Sequence, residues 1–288
     1  MAVLFNAVPE RFRHIEDDHE RYFAMARGTE DAVAMEMTKW FNTNYHYIVP
    51  ELSANMDLEL RPAKVLAEFR EAAEIGIKTK INLIGPVTIL NWSFVRDDIE
   101  RSDVCEQIAL VIRDEIEDLQ NAGIGIVQVD EAAFKEGYPL RKGKMDKYER
   151  WAVKCFQLAV SSARMATQVH THMCYSDFTD IIQTIERMDA DVLAVETSRS
   201  GNRPLKVFND RGYRNSIGPG VYDIHSPRVP SVHELTNKIR QLLHALPASP
   251  VWINPDCGLK TRRWAEVSPS LRNMVTAARA VRRELAQR

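Results

Sequence analysis

His172, Cys174, Glu196 and Cys257 together offer an imidazole, two thiols and a carboxylate, a plausible donor set for a tetrahedral zinc ion. Each stands at or near the end of a short apolar run: ATQVHTHMC at 166–174, DVLAVE at 191–196 and VWINPDC at 251–257. His172 and Cys174 are two residues apart, so on a strand they point to the same side. A metal held by thiolates can take a soft sulfur ligand; it replaces the thiol proton and leaves sulfur as a nucleophile at neutral pH. Further chemistry follows other runs. Asp130, Glu131 and Glu136 in QVDEAAFKEG could bind an amine or a cationic ring, and Trp92 after GPVTIL offers a flat stacking face. His225, after GPGVYDI, is a candidate general acid. Blander readings stand beside these. A lone His-x-Cys is more often not a metal site. His170 shares a strand face with His172 and is an alternative ligand, although packing deeper suits it better. His225 alone reads as a loop residue, Trp92 alone as core, and Tyr45, His46 and Tyr47 as packing in an ordered loop.

The elements that must position these residues alternate regularly from about residue 77. Strand-like runs occur at 81–87, 124–130, 168–174, 191–196, 218–224 and 251–254. Helix-like stretches lie at 98–122, 146–164, 178–188, 232–246 and 269–285. Gly123 suits a helix C-cap, and Ser231 and Ser268 suit N-caps. Such alternation implies a parallel sheet with helices outside. Reactive residues gather at strand ends, as in a (β/α)8 TIM-type barrel, here incomplete or rearranged at its N-terminal strands. A doubly wound open sheet is second choice, because no Gly-rich phosphate loop follows the first strand. The front of the chain differs. Residues 10–27 and 29–41 read as helices, the second capped by Thr29. Residues 42–51 read as an extended aromatic loop and 61–75 as a third helix, with no convincing strand before residue 77.

At 288 residues the chain can bury a sizeable core. A net charge of −2 gives no electrostatic case for nucleic acid or a membrane surface, and no apolar run reaches spanning length. The start MAVLFNAVPERF meets proline and charge too early for a signal peptide, so a cytoplasmic location is expected. Four cysteines make a disulfide framework unattractive; Cys105 and Cys155 fall in helical patterns as core thiols.

Six strings, GPVTILNWSFVRDD, QVDEAAFKEGYPLR, HTHMCYSDF, DADVLAVETSRS, IGPGVYDIHSPRVP and NPDCGLKTR, closely resemble the C-terminal half of cobalamin-independent methionine synthase, covering residues 82–288 in order. The resemblance implies a (β/α)8 barrel and methyl transfer from 5-methyltetrahydropteroyl-polyglutamate to homocysteine. It implies zinc as cofactor, held by His172, Cys174, Glu196 and Cys257. It further implies that His225 donates a proton, that Asp130 binds the amino acid, and that Trp92 and Glu136 contact the folate. The segment EMTKWFNTNYHYIVPEL at 36–52 resembles the N-terminal half of the same family, where Lys39 matches a contact to the folate tail.

Residues 1–81 therefore read as a mainly helical piece of the N-terminal half, and 82–288 as a zinc-binding catalytic barrel portion. Two departures stand out. Asp130-Glu131-Ala132-Ala133 replaces the family's Asp-Glu-Pro-Ala, and the contacts carried by the family's first two catalytic strands are missing. Open barrel edges would call for cover by a homo-oligomer, a domain swap or the rearranged front segment. Two rivals follow: a non-catalytic zinc-binding remnant or assembly subunit, and a zinc-thiol methyltransferase with another donor, such as a corrinoid.

Overall fold

The computed structural model describes residues 5–41, 43, 45–59, 64–174, 180–198, 203–246 and 250–287. The chain folds as two compact units, Met1–Thr167 and Gln168–Arg288.

In the first unit, a single turn of 3-10 helix at Glu10–Phe12 precedes α1 (Asp18–Arg27). The single helix expected over 10–27 is thus broken. The carboxylate of Asp17 accepts from the backbone of His19 (2.9 Å) and Glu20 (2.8 Å) and so begins α1 anew. The helix expected over 29–41 is absent. Thr29 and Ala32 close a tight turn through Thr29 N to Ala32 O (2.8 Å) and Ala32 N to Thr29 Oγ1 (3.1 Å). That turn sends the chain back toward β1 (Met37–Lys39), which pairs antiparallel with β2 (His46–Ile48). A side chain that satisfies its own turn, and a strand partner nearby, outweigh weak helix propensity. Val8, Phe12, Met25, Ala32, Met35 and Ile48 form the core beneath this region.

Next come β3 (Glu51–Leu52), α2 (Lys64–Glu74), β4 (Ile81–Ile84), α3 (Pro86–Asn91), β5 (Phe94–Val95), α4 (Arg101–Asn121), β6 (Ile126–Asp130) and α5 (Met145–Ala159). β3 runs parallel to β5, and β4 to β6 from Ile81↔Val127 to Ile84↔Asp130. The strand expected over 81–87 ends at Ile84, because Pro86 at the first helical position turns VTIL into α3. In α4 the buried Val104, Ile108, Ile112, Ile116 and Leu119 recur at three- and four-residue spacing and make one apolar face.

The second unit alternates β7 (Gln168–Met173), α6 (Ile182–Met188), β8 (Val192–Val195), α7 (Arg203–Arg211), β9 (Ser216–Pro219), α8 (Val232–Ala245) and α9 (Trp264–Ala286). The three strands are parallel, with His172 opposite Ala194 and Ala194 opposite Gly218. All four residues of β8 are buried, as a parallel strand covered on both faces requires. β9 ends at Pro219 rather than extending to Ile224. The strand expected at 251–254 is reduced to bridges Ile217↔Val251 and Gly220↔Asn254, since Pro250 and Pro255 supply no ladder N–H. α8 begins as expected on Ser231, whose hydroxyl accepts from Glu234 N at 3.2 Å. α9 begins at Trp264, five residues ahead of Pro269, with Glu266 Oε2 accepting from Arg263 N at 3.3 Å. Among the described residues no helix is long and apolar enough to cross a membrane. The starts expected at Arg61 and Phe178, and the loop start at Asn42, lie outside the described residues.

Candidate metal centre

Three of the four expected donors gather inside the second unit. The ligand atoms of His172, Cys174 and Cys257 all lie within 4.8 Å of one another. β7 carries His172 and delivers Cys174 just beyond its end; Cys257 comes from the turn after the Asn254 bridge. His172 Nε2 stands 3.0 Å from Cys174 Sγ, and the two sulfurs are 3.7 Å apart. Glu196, one residue past β8, joins through its Oε1, 2.7 Å from Cys257 Sγ. The parallel register explains the convergence, because strand ends of one sheet bring their next residues to the same edge.

The cysteine pair fits a tetrahedral ion. Metal–sulfur bonds of about 2.3 Å at tetrahedral angles give a sulfur–sulfur edge of roughly 3.8 Å, and the two thiols stand 3.7 Å apart. The His172–Cys174 and Cys257–Glu196 edges are tighter than the roughly 3.5 Å such an ion would set. These pairs stand at hydrogen-bond distance. The imidazole is pre-aimed: His172 Nδ1 lies 3.0 Å from the Ala194 carbonyl, which selects the tautomer whose Nε2 lone pair faces the thiols. The Cys257 thiol is pushed up from its ordinary range, first by its hydrogen bond with Cys174 and then by burial. Such a thiol stays protonated unless a cation takes the proton's place.

His170 lies deeper on β7. Its ring meets Trp252 edge-on at 4.8 Å, and its Nε2 is 3.1 Å from Gln168 Oε1, so it packs as the simpler sequence reading expects. His225 is exposed on the loop after β9. Its backbone N–H donates to Asp223 Oδ1 at 2.8 Å and its carbonyl accepts from Arg262 Nη1 at 3.2 Å, which fixes the loop.

The remaining sequence candidates belong to the first unit. Trp92 ends α3 and donates through Nε1 to Glu136 Oε2 at 3.1 Å. Its ring, half-buried, also has aromatic neighbours: Tyr47 stacks on it at 5.6 Å, and Trp40 (4.3 Å) and Phe41 (5.0 Å) meet it edge-on. Lys39 sits exposed on β1 beside that cluster. Asp130 ends β6, where its Oδ1 accepts from Gln128 Nε2 at 2.7 Å; Gln128 Oε1 in turn accepts from Lys80 Nζ at 2.5 Å. Glu131, considered as an amine ligand from sequence, is fully buried. It accepts from Val87 N (3.1 Å), Thr88 N (2.8 Å) and Thr88 Oγ1 (2.7 Å), so it anchors α3. Three contributions escaped sequence reading: the Trp40 and Phe41 rings, the Lys80–Gln128–Asp130 chain and Asp256 beside Cys257. The two-residue spacing of Gln128 and Asp130 was a usable sign of the chain.

Comparison with known proteins adds a family. The sequence model described as "Cobalamin-independent synthase, Catalytic domain" matches residues 3–280. A 5-methyltetrahydropteroyltriglutamate–homocysteine methyltransferase of Desulforamulus reducens is 72% identical over 200 residues, covering 69% of this chain and 26% of the relative. The protein of that name from Salinibacter ruber is 62% identical over 200 residues, with the same coverage. The chain thus spans about a quarter of the length of the curated relatives it matches. Among solved structures, a B12-independent methionine synthase from Shewanella sp. W3-18-1, in complex with selenomethionine, superposes with TM-score 0.66 at 18% identity, covering 85% of this chain and 73% of that one. A putative vitamin-B12-independent methionine synthase from Listeria monocytogenes gives 0.64 at 14% identity, covering 80% and 73%. At such identities these two establish the fold class, α/β of the TIM-barrel type.

Proposed function

The chain belongs to the family of cobalamin-independent synthase catalytic domains, and from that premise we propose that it transfers a methyl group from 5-methyltetrahydropteroyl-polyglutamate to homocysteine, giving methionine. The single observation that carries the reading is the gathering of His172, Cys174 and Cys257, with Glu196 attached through Cys257. Those four residues would hold zinc. When bound, zinc would lower the pKa of the homocysteine thiol so that its sulfur is available as thiolate at neutral pH.

The remaining chemistry belongs to the chain's own groups. Asp130, restrained by Gln128, would take the substrate ammonium. Trp92 and Glu136 would hold the pterin, and Lys39 the anionic polyglutamate tail. Sulfur attacks the N5-methyl carbon in line; the S–CH3 bond forms, the N5–CH3 bond breaks, and its electron pair returns to N5. N5 leaves well only as it gains a proton, and His225 on its fixed loop is the proposed donor. Cysteines that stand as thiols rather than as a disulfide suit a reducing cytoplasm. We further propose that residues 1–81 descend from the N-terminal half of the family, that 82–288 form the catalytic portion, and that a homo-oligomer covers its open strand edges. Supplying zinc, homocysteine and the methyl-folate polyglutamate and assaying methionine tests the reading. Absence of turnover in folded, zinc-loaded protein would refute it.

A second reading is a non-catalytic zinc-binding remnant or assembly subunit. The ring neighbours of Trp92 favour it, because Tyr47 stacks where a pterin would have to compete and Trp40 and Phe41 meet the ring edge-on. Stoichiometric zinc whose ligation is indifferent to homocysteine would mark that case.

A further inference from the structure

Cys257 and Glu196 come from different strand ends, yet their side chains meet at 2.7 Å. Something must hold those ends in register, and the residue placed to do so is Asp256. We propose that Asp256 is the positioning residue of the metal centre, its buried carboxylate locking the Glu196 strand end to the Cys257 turn. This inference rests on the metal reading above.

Asp256 is 4% exposed. Its Oδ1 faces Thr197 N and Ser198 N, each at 3.4 Å, and its Oδ2 accepts from the Ser198 hydroxyl. Its own N–H donates to the Tyr222 carbonyl at 3.2 Å. Thr197 is one residue beyond Glu196, and Asp256 one residue before Cys257. The contacts therefore close a ring: Glu196 to Thr197 by the chain, Thr197 to Asp256 by the carboxylate, Asp256 to Cys257 by the chain, and Cys257 back to Glu196 by thiol and carboxylate.

The floor of this ring is Gly220. A Cβ at that position would collide with the Asp256 carboxylate, so only glycine leaves room. Gly220 is itself tied on both sides. Its N–H donates to Val195 O (2.9 Å), and its carbonyl accepts from Thr197 Oγ1 (2.8 Å). The next residue's N–H donates to Asn254 O at 2.8 Å. A buried carboxylate is costly unless its oxygens are satisfied, and here they are spent on the residues that follow a ligand. An apolar residue of similar size would fill the space but release Thr197 and Ser198. Partners that orient metal ligands typically contribute ten- to a hundredfold to metal affinity.

The test uses the full chain with zinc and, as a spectroscopic probe, cobalt(II). Asp256→Ala is expected to weaken zinc about 10- to 100-fold in chelator competition and to shift the cobalt absorption bands, while the metal-free chain keeps its fold. Asp256→Asn is expected to restore most of the affinity, because the Ser198 hydroxyl can turn to accept from the new amide. Should Asp256→Ala fail to fold, Ser198→Ala removes one tie and is expected to weaken zinc several-fold. Unchanged affinity and spectrum in the folded variants would overturn the positioning role, with the wild-type metal site intact. So would a loss that tracks melting temperature and that Asn does not restore. A wild-type chain that takes up no zinc refutes the metal reading itself, and the role falls with it.

Discussion

Glu131 lets burial and hydrogen bonding be weighed against each other by experiment. The side chain is fully buried at the end of β6, where three donors from Val87 and Thr88 converge on its two oxygens. Those donors favour the carboxylate, whereas burial, aided by the neighbouring charge of Asp130, favours the protonated acid. Burial prevails and raises the pKa from 4.5 to about 7. Because the folded-state pKa is raised, the folded protein binds the proton more tightly than the unfolded chain. Its stabilising effect is therefore present below the unfolded pKa and is lost as pH rises toward the folded one. A gap of roughly 2.5 pH units at about 1.4 kcal/mol each gives a full loss of about 3.5 kcal/mol. The assay is urea unfolding of wild type and Glu131→Gln from pH 5 to 8. Glu115, also raised to about 7 by burial, cancels in the difference. Gln cannot accept from both sides, which adds an offset independent of pH. The wild type should lose about 2.5 kcal/mol relative to the variant between pH 5 and pH 8, the rest of the loss falling below pH 5. A flat difference, or a wild type that gains, would mean the three donors outweigh burial and would refute the reasoning. Function is involved because Glu131 fixes the start of α3, and Trp92 closes its end.

Three other outcomes follow from the same contacts. Cys174→Ala should abolish stoichiometric zinc measured by elemental analysis, whereas Cys105→Ala, buried on α4, should leave it unchanged. Tyr47→Ala should cost about 1 kcal/mol of stability through the lost stack on Trp92; it should also tighten binding of a reduced pterin, read by tryptophan quenching, if the β1–β2 hairpin competes for that face. Gly85→Ala would drive a Cβ into the Glu131 carboxyl group and should destabilise by about 1–3 kcal/mol in thermal unfolding.

The meeting of His172, Cys174 and Cys257 was legible because it depends on strand ends, and the strands after residue 77 declare themselves by apolar runs between amphipathic helices. His172 and Cys174 share a face by simple alternation, and the structure keeps it. The front of the chain was less legible. Residues 29–41 have helical composition, but a Thr29–Ala32 turn and a pairing partner at 46–48 decide the outcome, and neither is visible in a local window. GPVTIL read as strand because its apolar run is continuous; Pro86 at a helix start and the distant Glu131 make it α3. The ring neighbours of Trp92 were missed for a similar reason, since rings at 40, 41 and 47 reach it only through tertiary packing. Asp256 was hidden by its neighbour, because Cys257 drew the chemical reading of NPDC.

X-ray absorption at the zinc edge tests the central claim most directly. The account predicts stoichiometric zinc with two sulfur ligands, from Cys174 and Cys257, and nitrogen and oxygen ligands from His172 and Glu196. Addition of homocysteine should bring one further sulfur into the shell. A chain that binds no zinc, or zinc held without the two cysteine sulfurs, would contradict the metal centre. An intact shell that ignores homocysteine would contradict its proposed use.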